Sequence, residues 1–62
     1  MRVIVRCAFQ EDIVINARSL QEAQNIGMKI MSRIKDVQFY YPNPSDRVYL
    51  FANSMMYQIV IC

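Results

Sequence analysis

The sequence predicts a small two-layer α+β domain, a mostly antiparallel sheet in the order ββαβββ with one helix over residues 19–34 packed on one face. Three observations carry this expectation. The stretch S-L-Q-E-A-Q-N-I-G-M-K-I-M-S-R-I has helical periodicity behind a capping signature. The segments on both sides of it alternate apolar and polar residues with the period of a strand. Turn-forming residues cluster between those segments, most strongly in P-N-P-S-D at 42–46.

Within the helix, Ser19 and Glu22 stand in S-x-x-E spacing, the capping box in which hydroxyl and carboxylate satisfy backbone N–H groups reciprocally. Leu20, Ala23, Gly27, Ile30, Met31 and Ile34 form one side, and Glu22, Asn25, Lys29 and Arg33 lie opposite. Gly27 interrupts the apolar stripe at a cost of about 1 kcal/mol against alanine. Its expected compensation is close approach by the backbone of another element. Lys29, Arg33 and Lys35 suit the negative end of the helix dipole.

Residues 2–10 place Val3, Val5, Cys7 and Phe9 on one side and Arg2, Ile4, Arg6, Ala8 and Gln10 on the other. The pattern breaks at Gln10-Glu11-Asp12 and resumes at Ile13, Ile15 and Ala17. That break suggests a hairpin, with one long bent strand as the alternative. Without glycine, a type I loop is expected in place of a tight primed turn. After the helix, 36–41 alternates Val37, Phe39 and Tyr41 with Gln38 and Tyr40. Residues 47–52 alternate Val48, Leu50 and Ala52 with Tyr49 and Phe51. Asn53-Ser54 is the natural turn into a last strand over 55–61.

A single helix on such a sheet should cover Val3, Val5, Cys7, Phe9, Ile13, Ile15, Val37, Phe39, Val48, Leu50, Ile59 and Ile61. The other face then shows Ile4, Ala8, Val14, Tyr40, Tyr49, Phe51, Met56 and Val60 among Arg2, Arg6, Gln38 and Gln58. Exposed apolar patches mark interaction sites, and Tyr, Phe, Met and Arg are enriched at interfaces. The candidate interaction face is therefore Arg2, Ile4, Arg6, Tyr40, Tyr49, Phe51, Met56 and Gln58. Its occupant is left open between a second copy, stacked sheet on sheet, and a different protein. A one-residue slip of register would exchange the two sets of side chains.

At 62 residues the chain is one domain of a size that buries only about 60% of its unfolded surface, so oligomerisation is the expected source of extra burial. Cys7 and Cys62 have no pairing signature and are expected reduced. Two cysteines and no histidine make no structural zinc set, and no cofactor is expected. Net charge is +2, too slight to force a nucleic-acid or membrane reading. The start has the basic flank of a signal peptide, but Arg6 interrupts its apolar run and no small-residue cleavage site follows, so no signal peptide is expected; no run reaches the roughly 18–20 residues of a membrane span. A cytoplasmic protein without membrane partners is the expectation.

Catalysis has little to work with. Glu11, Asp12, Glu22, Asp36 and Asp46 read as turn or capping residues, and Cys7 and Cys62 have no imidazole partner. One glycine cannot build a phosphate-binding loop. Nucleic-acid binding remains the rival reading, through Tyr40, Tyr49 and Phe51 beside Arg2 and Arg6. A secondary basic face of Arg18, Lys29 and Arg33 could contact phosphates. The sequence-level expectation is thus a non-enzymatic binding protein that occludes or modulates a macromolecular partner as a homodimer. Short chains of this kind are common among phage and mobile-element inhibitors and adaptors. The alternative is a small nucleic-acid-binding regulator.

Overall fold

The helix begins where its capping residue places it. The computed structural model describes residues 1–43 and 45–62. Pro44, part of the expected 42–46 loop, lies outside them. α1 spans Leu20–Met31, and Ser19, extended at φ −151° and ψ 166°, accepts from the Glu22 N–H at 3.2 Å. This is the serine half of the capping box. The helix ends three residues before Ile34 because its last turn tightens. The Ser32 hydroxyl and N–H both donate to the Lys29 carbonyl, at 2.8 and 3.3 Å, and the Ile34 N–H donates to Met31 O at 3.1 Å. Asp36, at φ 58°, then turns the chain away; aspartate tolerates this left-handed geometry better than most residues.

The strands are β1 (Arg2–Cys7), β2 (Ile13–Asn16), β3 (Gln38–Phe39), β4 (Tyr49–Asn53) and β5 (Tyr57–Ile61). They form one sheet in the order β2-β1-β5-β4-β3, with every neighbouring pair antiparallel. The expected α+β architecture and ββαβββ order are what the chain adopts. The helical connection carries the chain from one edge of the sheet to the other. β1 and β2 form a hairpin, which removes the bent-strand alternative. Its turn differs from the type I loop expected: Gln10 N–H donates to Cys7 O at 3.4 Å with Phe9 at φ 65°. Positive φ at the third turn residue is the mark of type II, a position that favours glycine. The β4–β5 turn uses no positive φ; the Ser54 hydroxyl donates to Tyr57 O and accepts from Tyr57 N–H, both at 3.1 Å.

Helix and sheet meet over Val3, Val5, Tyr49, Phe51, Ala52, Ile59 and Ile61, with Ala17, Ala23 and Met31 completing the buried cluster. The register of β1 and β5 is as expected, since Val3 faces Ile61 and Val5 faces Ile59. β4 is inverted relative to expectation from Tyr49 to Phe51, while Ala52 lies on the expected side, fully buried. Tyr49 and Phe51, predicted on the far face, are 9% and 6% exposed beneath the helix. Leu50, predicted beneath the helix, lies opposite Val60 on the far face, and Val48 is exposed. The physical cause is a β-bulge between Leu50 and Ala52. A bulge sets two residues against one on the partner strand, so Phe51 and Ala52 both reach the core opposite Ile59.

Gly27 explains why the aromatic ring fits. A Cβ on Gly27 would lie 2.8 Å from two ring carbons of Phe51 and 3.2 Å from Ile59 Cγ2. The close neighbour of Gly27 is therefore a side chain, where the sequence suggested a backbone. Phe9 and Ile13, also assigned to the core, are exposed: Phe9 sits at the turn, and Ile13 lies at the outer end of an edge strand. Phe39 is half exposed, its ring tilted at 59° on Phe51 with centroids 5.5 Å apart.

Candidate functional site on the helix-free sheet face

Antiparallel registers turn the far face into three rows that run across the strands. The middle row is Val14, Ile4, Val60 and Leu50, contributed in turn by β2, β1, β5 and β4 and directly opposite one another. On one side lie Asn16 and Arg2, with Cys62 beside Arg2 through paired backbone bonds of 2.7 and 3.0 Å. On the other side lie Arg6, Gln58, Asn53 and Gln38. β1 thus alternates Arg2, Ile4 and Arg6, polar, aliphatic, polar, as antiparallel sheets with one open face do. The polar row is knit by cross-strand bonds. Gln58 Nε2 donates to Asn53 Oδ1 at 3.2 Å, and Arg6 Nε lies 3.6 Å from Asp12 Oδ2. Both members of that ion pair are about half exposed, so its contribution to stability is small.

Of the candidate interaction face, Arg2, Ile4, Arg6 and Gln58 are on this surface together. Tyr40 is exposed beside it, its hydroxyl donating to Gln38 Oε1 at 3.0 Å. Met56 is exposed at the far end, where its carbonyl accepts from Ala8 N–H at 3.0 Å. Arg6, Ala8, Ser54, Met56 and Gln58 line a shallow cleft of about 290 Å³ there. Tyr49 and Phe51 are corrected out of the set. Both are core residues, and the Tyr49 hydroxyl accepts from Gln24 Nε2 of the helix at 3.2 Å. The surface is aliphatic where the sequence suggested an aromatic one. Val14, Val60 and Leu50 are the members that the interaction set lacked. The signal that could have placed Leu50 was Gly27, whose missing side chain calls for a bulky residue opposite.

The secondary basic set does not form one surface. Lys29 is in the last turn of α1 and Arg33 just beyond it, whereas Arg18 precedes the N-cap. Arg18 and Lys29 are separated by about 16 Å along the axis at 1.5 Å per residue. The cysteines are likewise held apart. Cys7 pairs with Tyr57 and Cys62 with Arg2, five ladder steps or about 16 Å from each other, and both are free thiols. A second concavity, of about 370 Å³, lies between the helix and the β3 edge, lined by Gln21, Gln24, Met28, Phe39, Tyr40, Tyr41 and Phe51. No helix is long and apolar enough to cross a membrane among the described residues.

No protein-family model, curated protein or solved structure matches this chain.

Proposed function

We propose that the protein is a non-enzymatic binding protein that occludes or modulates another protein through the helix-free face of its sheet. The observation that carries this reading is the aliphatic row Val14-Ile4-Val60-Leu50, in register over four strands and rimmed by Arg2, Arg6, Asn16 and Gln58; Val14 is exposed, Ile4 and Leu50 are half-buried, and Val60 between them is 8% exposed. An apolar centre with a polar rim that includes arginine is the anatomy of a protein interface.

One 12-residue helix covers one face of a five-stranded sheet and leaves the other without a layer.

Nucleic acid fits this surface less well. Single-strand binding relies on stacked aromatics along a basic groove, and two of the three aromatics that motivated it, Tyr49 and Phe51, lie in the core. A salt titration against a pool of single-stranded oligonucleotides separates the two classes. Counterion release gives a nucleic-acid binder a steep loss of affinity with salt; a protein binder gives no association even at low salt. Tight, salt-sensitive binding that Leu50→Lys leaves intact would replace the protein reading with the nucleic-acid one.

A further inference from the structure

We infer that β2 pairs edge to edge, antiparallel, with β2 of a second copy, joining two five-stranded sheets into one of ten strands. The two edges of the sheet are unequal. β3 is only two residues long and is followed by Tyr40, Tyr41 and Pro42, and short strands and proline are how exposed edges are blunted. β2 is Ile-Val-Ile-Asn, β-branched, without lysine or proline, and Ile13 and Val14 are 53% and 54% exposed.

The hydrogen-bond parity of β2 is fixed by its neighbours. Arg2 and Cys62 exchange backbone bonds, so the even residues of β1 bond towards β5. Ala17 N–H donates to Met1 O at 2.7 Å and the Met1 nitrogen donates to Ala17 O at 2.9 Å, so the odd residues of β1 bond towards β2. By the alternation of an antiparallel ladder, Ile13, Ile15 and Ala17 turn their backbone groups inward. Val14 and Asn16 turn theirs outward, unpaired within the sheet.

The sequence of this edge is complementary to itself. A two-fold axis through Ile15 sets Val14 opposite Asn16 of the second copy, and their outward N–H and C=O groups form four backbone hydrogen bonds. Ile15 meets Ile15 in a close non-hydrogen-bonded pair. Exposed Ile13 meets the small Ala17. Asp12 falls opposite Arg18, twice per dimer. Asp12 already lies near Arg6, but a carboxylate has acceptor capacity for a second cation. Arg18 is exposed and in no ion pair among the described residues. A shift of the register by two residues loses both the Asp12–Arg18 match and the Ile15–Ile15 contact. Sequence reasoning pointed to a sheet-on-sheet dimer; edge pairing leaves the open face free. The inference does not depend on what that face binds.

Analytical ultracentrifugation of the intact chain over about 10–200 μM, the range of a weak dimer, tests it. The wild type sediments as a dimer. Val14→Pro removes one outward donor but no bond to β1, and weakens the dimer at least about tenfold. Asp12→Arg and Arg18→Asp each place like charges in opposition and weaken it about tenfold. An equimolar mixture of those two variants restores both matches and associates as well as the wild type. A wild type that stays monomeric throughout, or a folded Val14→Pro with unchanged self-association, overturns the inference. Should Val14→Pro lose its circular dichroism, the charge variants decide: a mixture that associates no better than its components overturns it equally. A dimer broken by Leu50→Lys and not by Asp12→Arg would mean face-to-face stacking, and would also overturn it.

Discussion

Beneath the helix the strands present Val3, Val5, Tyr49, Phe51, Ile59 and Ile61, all buried, whereas on the other side the same strands present half-buried Ile4 and Leu50 flanking a buried Val60, between rows of arginine and amides. The two surfaces have similar backbones and different obligations. The covered face must match the helix in volume, down to the ring of Phe51 seated against Gly27. The open face need only keep its aliphatic row in register and its polar groups solvated or paired. Adjacent residues of β4 therefore differ in kind: Phe51 is held by packing, and Leu50 is available for contact.

The largest expected effect lies at that pair. Phe51→Ala should cost about 3–5 kcal/mol through lost burial and a cavity, most of the roughly 3–9 kcal/mol a chain of this length possesses. Leu50→Lys, on the open face, should cost about 1 kcal/mol or less. Urea denaturation of the two variants measures the contrast, and equal losses would dissolve it.

Gly27→Ala sharpens the comparison by testing the fit. Alanine gains about 1 kcal/mol in helix propensity, yet its methyl would sit 2.8 Å from the Phe51 ring. Overpacking costs of about 1–3 kcal/mol should make the variant less stable than wild type. The double variant Gly27→Ala with Phe51→Leu should be more stable than the sum of the two single changes, a coupling that denaturation midpoints will read. Tyr49→Phe should cost about 1 kcal/mol, because it leaves Gln24 without its hydroxyl partner. Smallest is Phe9→Gly, where relief of the φ 65° turn outweighs the added chain entropy by about 0.5 kcal/mol. That variant should melt slightly above the wild type by calorimetry.

Much of this architecture is legible in the residues themselves. The Ser19 cap sets the start of the helix, period-two runs mark the strands, and Val3, Val5, Ile59 and Ile61 lie on the side their alternation assigns. Alternation failed in β4 because it presumes an unbroken ladder, and the bulge at Phe51 is a tertiary event. A bulge shows in sequence only through its partners, here a glycine in the apolar stripe of the helix. The candidate surface shows the same slip: its arginines, Ile4 and Gln58 share the helix-free face, Tyr40 is exposed beside it, and Tyr49 and Phe51 belong to the core. The helix is shorter than its periodicity implies because Ser32 closes the last turn with its own side chain. A basic face joining Arg18 to Lys29 and Arg33 presumes that all three share the outer side of the helix, whereas Arg18 precedes its N-cap and the length of the helix separates them.

The most direct test of the open face as the contact surface is quantitative capture of proteins from host lysate by three immobilised chains, followed by mass spectrometry. The three are wild type, Leu50→Lys, and Lys29→Glu on the outer side of the helix, each verified as folded by circular dichroism. A protein retained by wild type and Lys29→Glu and lost from Leu50→Lys is the predicted result. Retention of that protein by Leu50→Lys at the wild-type level, with loss from Lys29→Glu, would place the contact on the helix and contradict the assignment of the sheet face.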